Sequence, residues 1–392
     1  MQRSHSDASD HSPRFDADAL KARIVTEARV RGAVDVRVTG AAVDEELRSR
    51  LRSSFERGDL RTWPYDDAYA RAASDPETVL AGARSIICIA VPYATPPGRR
   101  APLQGRVSNY AWSEDYHHRM RTMLRELAAL IDELAGAPVT SIACDTKPIA
   151  ERAYAARAGL GWVGKHTNLI SPRAGSFVFL GELITTLDLP PDAALRKTCG
   201  ACRRCIDACP TGALRGDYTI DANRCIADLT QRTDAIPRKM RPLIGDWVWG
   251  CDICQDVCPP TMRAQEHGDE RFRPFDATTS APQLDRLLRL RSGEFKRRYA
   301  RTAMGWRGAA VLRRNAAIAL GNSLDRSAVG PLSEALADDP HPMVRESAAW
   351  ALGRIGSPKA IAYLKLRYEA ERDPSVRSEI AASLEPFTVP VR

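Results

Sequence analysis

The sequence predicts three structural parts: an α/β domain, a small cysteine-rich metal domain and a C-terminal domain of α-helical repeats. Apolar runs alternate with helical patterns in the first half of the chain, eight of the ten cysteines fall between Cys199 and Cys258, and the C-terminal quarter carries an internal repeat. We therefore predict a polar, disordered leader at 1–14, the α/β domain at 15–194, the metal domain at 195–265 and the repeat domain at 280–392.

Composition and charge narrow the class of protein. The chain has 392 residues, of which 44% are hydrophobic and 27% charged, as in ordinary globular proteins. Its 57 basic and 49 acidic residues give a net charge of +8, which favours a polyanionic partner. Apolar runs are too short for a transmembrane helix, and the polar N-terminus lacks the apolar core of an export signal. We expect a cytoplasmic protein without membrane contact.

Strand and helix patterns alternate through the predicted α/β domain. Residues 85–94 form an Ile- and Val-rich run that is typical of a buried strand. Residues 114–135 place apolar side chains at helical spacing. A second strand is predicted at 139–146, a helical segment at 149–158, and one or two further strands at 176–189.

The cysteine pattern is the most specific motif in the sequence. Two runs that end in Cys-Pro, C-x2-C-x2-C-x3-C-P and C-x2-C-x3-C-P, flank one further cysteine and are typical of bacterial ferredoxins with two 4Fe–4S clusters. In those proteins the last cysteine of a run binds the other cluster. This exchange predicts one cluster on Cys199, Cys202, Cys205 and Cys258, and a second on Cys209, Cys225, Cys251 and Cys254. A pair of zinc sites is the alternative.

The C-terminal part contains a 32-residue repeat. Two sets of positions recur at this interval: Leu312, Val344 and Val376, each followed by arginine, and Leu320, Leu352 and Leu384. Asp-Pro pairs at 339–340 and 373–374 separate the helical segments, because proline ends one helix and starts the next. Such a period is typical of HEAT-like helical pairs. A helical bundle with coincidental similarity is the alternative.

The positive charge is concentrated at the start of the repeats. Residues 286–314, the basic segment, contain ten Lys or Arg and one acid, a net of +9 that leaves −1 for the rest of the chain. Phe295, Tyr299 and Trp306 lie between the basic residues. Cations neutralise phosphates and aromatic rings stack on unpaired bases, so this segment predicts contact with a single-stranded or loop region of RNA. A solvated face of the repeats is the alternative.

One carboxylate is a candidate catalytic acid. Asp145 lies at the end of the second predicted strand, where active-site carboxylates often project, although a helix N-cap is the alternative. Cys88 and Cys144 lie in apolar strands and are predicted to be buried thiols. The adjacent His117 and His118 cannot share one helix face, which argues against a dinuclear metal site.

Taken together, the motifs resemble those of the epoxyqueuosine reductases. The similarity includes DTKPIAERAYAARAGLGWVGKHTNLISPRAGSFVFLGELITTLDL, CGACRRCIDACPTGAL, GCDICQDVCP, NYAWSEDYH and the terminal repeats, in order and spacing. It covers nearly the whole chain after the leader. The resemblance implies a cobalamin-binding α/β domain and an enzyme that reduces epoxyqueuosine to queuosine at the wobble position of tRNA, the last step of queuosine biosynthesis. Electrons would pass through both clusters to the cobalt.

The resemblance also implies roles for individual residues. Asp145 matches the family's proton donor, and burial beside a hydrophobic corrin would raise its pKa so that it carries a proton. The positions expected to border the corrin are Ser108, Asp145, Leu169, Leu180 and Asp252. Two positions depart from the family pattern. Ser108 stands where some members carry a cysteine beneath the cobalt, and Ala227-Asp228 replaces a common Ser-Tyr.

The basic segment matches the family's tRNA-facing surface. The implied contacts with the anticodon loop are Gln231, Arg232, Lys296, Arg297, Arg298, Arg301, Arg307, Arg313 and Arg314. We expect a monomer that takes electrons from an external donor of unknown identity. Two other functions stay open: a reductive dehalogenase-like cobalamin enzyme, which would not need basic repeats, and an iron–sulfur electron-transfer or adaptor protein, which would bind neither corrin nor tRNA.

Overall fold

The computed structural model describes residues 16–63, 65–264 and 268–387, so the predicted leader at 1–14 lies outside the described residues. The helices are α1 Ala17–Val30, α2 Glu45–Glu56, α3 Asp67–Ala73, α4 Tyr116–Ala135, α5 Glu151–Arg157, α6 Arg204–Ala208, α7 Ile226–Gln231, α8 Ile253–Asp256, α9 Pro259–Ala264, α10 Ala277–Ser280, α11 Leu284–Leu288, α12 Ser292–Arg298, α13 Ala309–Ser323, α14 Val329–Asp338, α15 Pro342–Ile355, α16 Pro358–Ala370 and α17 Pro374–Leu384. The strands are β1 Asp35–Gly40, β2 Ser85–Pro92, β3 Arg106–Val107, β4 Thr140–Ala143, β5 Trp162–Val163, β6 Leu169–Ile170, β7 Val178–Thr185 and β8 Trp247–Trp249.

A four-stranded sheet forms the centre of the N-terminal part. Its strand order is β1-β2-β7-β4, and every neighbouring pair is antiparallel. The predicted mixture of helices and strands is confirmed, with the strands expected at 85–94, 139–146 and 176–189 present as β2, β4 and β7. Strand β2 is buried along its whole length because both of its faces are covered. Helices α1 and α4 pack against one face of the sheet, and α5 packs against the other.

The cysteine-rich part contains only short elements. Helices α6, α7, α8 and α9 have four to six residues each. Strand β8 pairs in parallel with β3 of the N-terminal part, so the two parts share a small sheet. A segment with so little regular structure has few backbone hydrogen bonds of its own. This is expected where metal ligation supplies part of the folding free energy.

The repeat domain is a stack of helices in which α13, α15 and α17 pack side by side. Leu312, Val344 and Val376 are each fully buried, which confirms the predicted 32-residue period and HEAT-like repeats. Helices α15, α16 and α17 each begin with proline at a position where no backbone N–H is needed. One hydrophobic core runs from these helices into the cysteine-rich part. Among the described residues, no helix is long and apolar enough to cross a membrane.

Candidate active site and metal centres

Asp145 lies in the turn between β4 and α5. Its backbone occupies the left-handed region, with φ at 54°, and its N–H donates a hydrogen bond to the Glu151 carboxylate in the first turn of α5. The cap of α5 is Ala150, so Asp145 is not the N-cap of that helix. The Asp145 side chain is 65% exposed. The turn therefore presents this carboxylate to the space above the sheet.

The start of α4 supplies two partners for this carboxylate. The Tyr116 hydroxyl donates to Asp145 Oδ2 at 2.7 Å, and His117 Nε2 lies 3.6 Å from the same oxygen. His117 Nδ1 is 2.6 Å from Asp115 Oδ1, so the imidazole bridges two carboxylates. Tyr116 is held by stacking on Phe179, with ring centroids 4.2 Å apart. The fold thus builds an acidic and basic cluster from α4 and the turn after β4.

Hydrogen-bond partners set the charge states of Asp145 and His117. Partial desolvation favours the neutral acid, but hydrogen bonds from His117 and Tyr116 outweigh it and lower the pKa of Asp145. Burial opposes the charge of His117, but hydrogen bonds to Asp115 and Asp145 outweigh burial and raise its pKa to about 9. The chain's own groups therefore lower the pKa of Asp145, and the rise expected beside a bound corrin stays a prediction. The proton of the pair resides on His117, which the sequence analysis considered only as a metal ligand.

Two acids, the buried Glu182 and the half-buried Glu151, lie beside the Asp145 turn. Glu182 of β7 is fully buried, and its carboxyl oxygens lack a geometrically defined hydrogen bond among the described residues. Burial and the nearby Glu151 carboxyl raise the pKa of Glu182 well above its ordinary value, and burial raises that of Glu151 as well. Two carboxyls in one apolar space favour a shared proton. Glu151 thus contacts both Glu182 and the backbone N–H of Asp145.

The residues expected to border the corrin occupy several environments. The Ser108 hydroxyl donates to the Asp252 carboxylate, which also accepts the Asn109 N–H at 2.7 Å; Ser108 and Asp252 are both buried. Asp252 lines a cavity of about 220 Å³ together with Asn109. Leu169 is buried in β6, whereas Leu180 of β7 is half-buried. The structure brings Ser108 and Asp252 together.

Four thiols surround one small apolar cavity. Its walls combine the predicted second ligand set with apolar side chains: Cys209, Cys225, Cys251, Cys254, Pro210, Ala213, Leu214, Ile220, Ile226 and Ile253. Burial, followed by neighbouring thiols and Asp252, raises the pKa of Cys254 well above its ordinary value. An apolar pocket lined by four thiols fits the ligation of a 4Fe–4S cluster.

The other four thiols form a second group. Cys205 lies close enough to Cys199, Cys202 and Cys258 for their charges to raise its pKa, after the larger effect of burial. Within the described ranges, no group of three His, Cys, Asp or Glu is arranged to hold a single metal ion. A 4Fe–4S cluster is bound by four thiolates at its iron corners, and cysteine runs that end in Cys-Pro are typical of such clusters.

The assignment of the cysteines to two clusters predicts the iron content of a cysteine variant. Replacing Cys225 by alanine is expected to remove the second cluster, about four of eight iron atoms, because the first group retains all of its thiols. Iron and acid-labile sulfide analysis of anaerobically purified protein measures this loss. Cys144→Ala is the matched control because Cys144 is a buried thiol outside both groups. A full iron content in Cys225→Ala would contradict the proposed ligand set.

The predicted RNA-contacting residues differ in how far their side chains are exposed to solvent. Lys296, Arg297 and Arg301 are exposed, whereas Arg298 and Arg307 are half-buried. Arg298 is engaged by Glu294 and Thr278. Gln231 is half-buried and donates to the carbonyl of Ala227 in its own helix. The exposed cations therefore lie mainly on α12 and the loop after it.

Three of the arginines predicted to contact RNA are buried in the structure. Arg314 is fully buried and donates to backbone carbonyls of the cysteine-rich part, so its guanidinium cannot reach a phosphate. Arg313 is 8% exposed and paired with Asp339, and Arg232 is equally buried and paired with Asp228. Phe295 and Tyr299 are buried as well, which leaves Trp306 as the exposed aromatic residue of this segment.

Comparisons with known proteins agree with these three parts. A family model described as "Epoxyqueuosine reductase QueG, DUF1730" matches residues 74–146, a 4Fe-4S double cluster binding domain matches 198–261, and HEAT repeats match 307–385. The second model covers the eight candidate ligands. Two 4Fe–4S clusters are therefore part of this protein.

Relatives match nearly the whole chain. The epoxyqueuosine reductase of Bacillus cereus is 36% identical over 95% of this chain and 98% of its own length, and that of Bacillus subtilis is 34% identical over 93% and 95%. A solved epoxyqueuosine reductase bound to an epoxyqueuosine-modified tRNA-Tyr stem loop is 32% identical, covers 95% of this chain and 100% of its own, and superposes with a TM-score of 0.89. The chain therefore belongs to the epoxyqueuosine reductase family.

Proposed function

We propose that this protein reduces epoxyqueuosine to queuosine at the wobble position of tRNA. The observation that carries the proposal is the exposed Asp145 carboxylate beside a protonated His117, in a chain whose relatives are epoxyqueuosine reductases throughout their length. One solved relative holds an epoxyqueuosine-modified stem loop. The same proposal includes a monomer that acts in the cytoplasm, binds the anticodon loop and takes electrons from an external donor.

Cobalamin is the proposed second cofactor, and unpartnered groups support its fit. The Trp162 indole nitrogen and His166 Nε2 are buried and have no hydrogen-bond partner within the described ranges. Both lie on the β5–β6 hairpin that contains Leu169, one of the positions expected to border the corrin. Amide groups of a bound corrin would satisfy such atoms. When bound, cobalamin would supply the reducing centre for the epoxide carbon, with electrons from the two clusters.

Side chains of this protein supply the protons that the reduction consumes. Conversion of an epoxide to an alkene and water consumes two electrons and two protons. The proton that His117 holds 3.6 Å from Asp145 Oδ2 passes through the Asp145 carboxylate to the oxygen as its C–O bond breaks. Solvent returns a proton to His117 for the second transfer, which releases water. Tyr116 keeps the Asp145 carboxylate in place through its 2.7 Å hydrogen bond, and Glu151 fixes the backbone of the same turn.

This arrangement predicts how the reaction depends on pH. The fold raises the pKa of His117 from 6.5 to about 9, so the imidazolium persists at neutral pH and is lost as the pH rises through about 9. We expect the single-turnover rate of the holoenzyme to fall above that pH. His117→Gln should be slower by about 10- to 100-fold at pH 7.5, and its rate should lack this high-pH decline.

The neighbouring histidine provides the control for the pH profile. His118 is exposed and does not contact Asp145 in the described structure, so His118→Gln should keep both the rate and the decline above about pH 9. A decline that persists unchanged in His117→Gln would assign the titration to another group.

The function itself is tested by nucleoside analysis. The protein is reconstituted with iron, sulfide and cobalamin under anaerobic conditions and incubated with a reductant and an epoxyqueuosine-containing stem loop. Mass spectrometry of the digested RNA should show that epoxyqueuosine is replaced by queuosine, 16 Da lighter by loss of one oxygen. Unchanged epoxyqueuosine with both clusters and the corrin bound would overturn the proposal.

A further inference from the structure

Four aromatic rings form a row that no hydrophobic core explains. The row consists of Tyr69, Tyr65, Trp63 and Trp306 and is called the aromatic row below. Consecutive ring centroids are 4.0, 6.4 and 5.7 Å apart, and consecutive planes are inclined by only 23°, 14° and 21°. None of the four rings belongs to a buried core cluster of the described structure. Trp306 is 51% exposed although it is among the largest apolar side chains.

The row connects two sites that the proposed function brings together. At one end, Tyr69 lies on α3, whose last residue Ala73 accepts a 3.0 Å hydrogen bond from the N–H of Ala150, the cap of α5 after the Asp145 turn. At the other end, Trp306 lies in the basic segment between α12 and α13. These residues come from sequence positions more than 200 apart, and only the tertiary structure aligns them.

Cations accompany the outer end of the row. The Arg307 guanidinium lies 3.7 Å from the Trp306 ring centroid and 5.4 Å from that of Trp63. The exposed Arg61 lies two residues before Trp63, and the exposed Lys296 and Arg297 precede Trp306 on α12. Aligned rings with adjacent cations are the arrangement that binds unpaired nucleotides, because bases stack on the rings and the cations neutralise phosphates.

We propose that the aromatic row is a binding subsite for the unpaired bases next to the reacting nucleotide, with Trp306 as the outer stacking surface. The inference rests on the proposed function, which places an anticodon loop above Asp145. With the wobble nucleotide at Asp145, the neighbouring bases are directed along the row toward α12. The subsite recognises the planar faces of the bases, so it is tolerant of sequence at these positions.

Binding of a stem loop to the holoenzyme tests this subsite. Trp306→Ala should weaken the affinity for an epoxyqueuosine-containing stem loop by about 5- to 100-fold, whereas Trp306→Phe should retain most of it, because phenylalanine keeps a stacking face. Tyr368→Ala is the matched control: Arg377 covers the Tyr368 ring at 4.5 Å in the last helical pair, which is the same kind of contact outside the row. That variant should bind like the parent protein.

Altered RNA separates stacking from an indirect structural effect. Two stem loops are compared, each with an abasic residue on one side of the wobble nucleotide, and both should bind the parent protein more weakly than intact RNA. With one of the two, Trp306→Ala should cause no further loss of affinity. An equal loss on intact and abasic RNA, or in Tyr368→Ala, would overturn the subsite. So would unchanged RNA affinity with slower electron supply, which would assign the row to a protein electron donor. Failure of the parent protein to convert epoxyqueuosine would instead overturn the proposed function.

Discussion

Asp145→Asn is expected to slow the reduction of epoxyqueuosine by about 10²- to 10⁴-fold, the range associated with loss of a general acid. Asparagine has nearly the same shape and keeps an oxygen that accepts the Tyr116 hydroxyl, so the turn after β4 is expected to stay in place. Its amide cannot pass a proton to the leaving oxygen. Single-turnover conversion in the loaded enzyme, measured by nucleoside mass analysis, gives the rate of this step.

Two other properties of Asp145→Asn should stay unchanged. Iron content should equal that of the parent because no cluster thiol contacts this turn, and stem-loop affinity should change by less than about twofold. Asp188→Asn is a suitable control, since Asp188 is an exposed carboxylate that pairs with Arg84 away from Tyr116 and His117. A parental rate in Asp145→Asn would remove this residue from the proposed mechanism.

The second large effect concerns stability. Arg314 of α13 donates to the carbonyls of Leu229, Thr230, Arg232 and Asp234 at 2.7–3.2 Å, so one side chain joins the repeat domain to the cysteine-rich part. Burial lowers the pKa of Arg314 to about 9, because the buried guanidinium has lost its hydration. Arg314→Met would leave several buried carbonyls without a donor.

We expect Arg314→Met to lower the free energy of unfolding by about 3–5 kcal/mol, the usual effect of removing one partner from a buried polar network. Urea denaturation of the cluster-loaded protein, followed by tryptophan fluorescence, measures the change. Arg286→Met is the matched control because Arg286 is exposed in the same basic segment, and its effect should stay within about 0.5 kcal/mol. Equal stability of the two variants would contradict the joining role of Arg314.

The basic segment shows where sequence reasoning reached its limit. Ten cations within 29 residues predicted an RNA-facing surface, but a charge count does not distinguish a solvated guanidinium from a buried one. Arg313 and Arg345 follow apolar repeat positions 32 residues apart, and each forms a largely buried ion pair, with Asp339 and Glu371 respectively. Their recurrence at the repeat period was the available signal that these arginines are structural.

In the active site, one residue could be identified from the sequence, whereas its partners could not. Asp145 was identified from its motif, but the partners that lower its pKa come from another element and leave no signal in that motif. Tyr116 and His117 are 29 and 28 residues away in sequence and reach Asp145 only because α4 starts beside the turn after β4. Glu182, on the central strand β7, was not considered because a single buried acid in an apolar strand has no local signal.

By itself the sequence determined the three parts of the chain, the cysteines that form the metal centres and the family to which the protein belongs. These depend on local spacing, because thiolates within one turn and apolar residues at a helical period are governed by neighbours along the chain. Only the tertiary structure decided which charges are buried, which group holds the catalytic proton and which rings align between Asp145 and Trp306. Burial and electrostatic coupling depend on distances through space, and residues far apart in sequence set those distances.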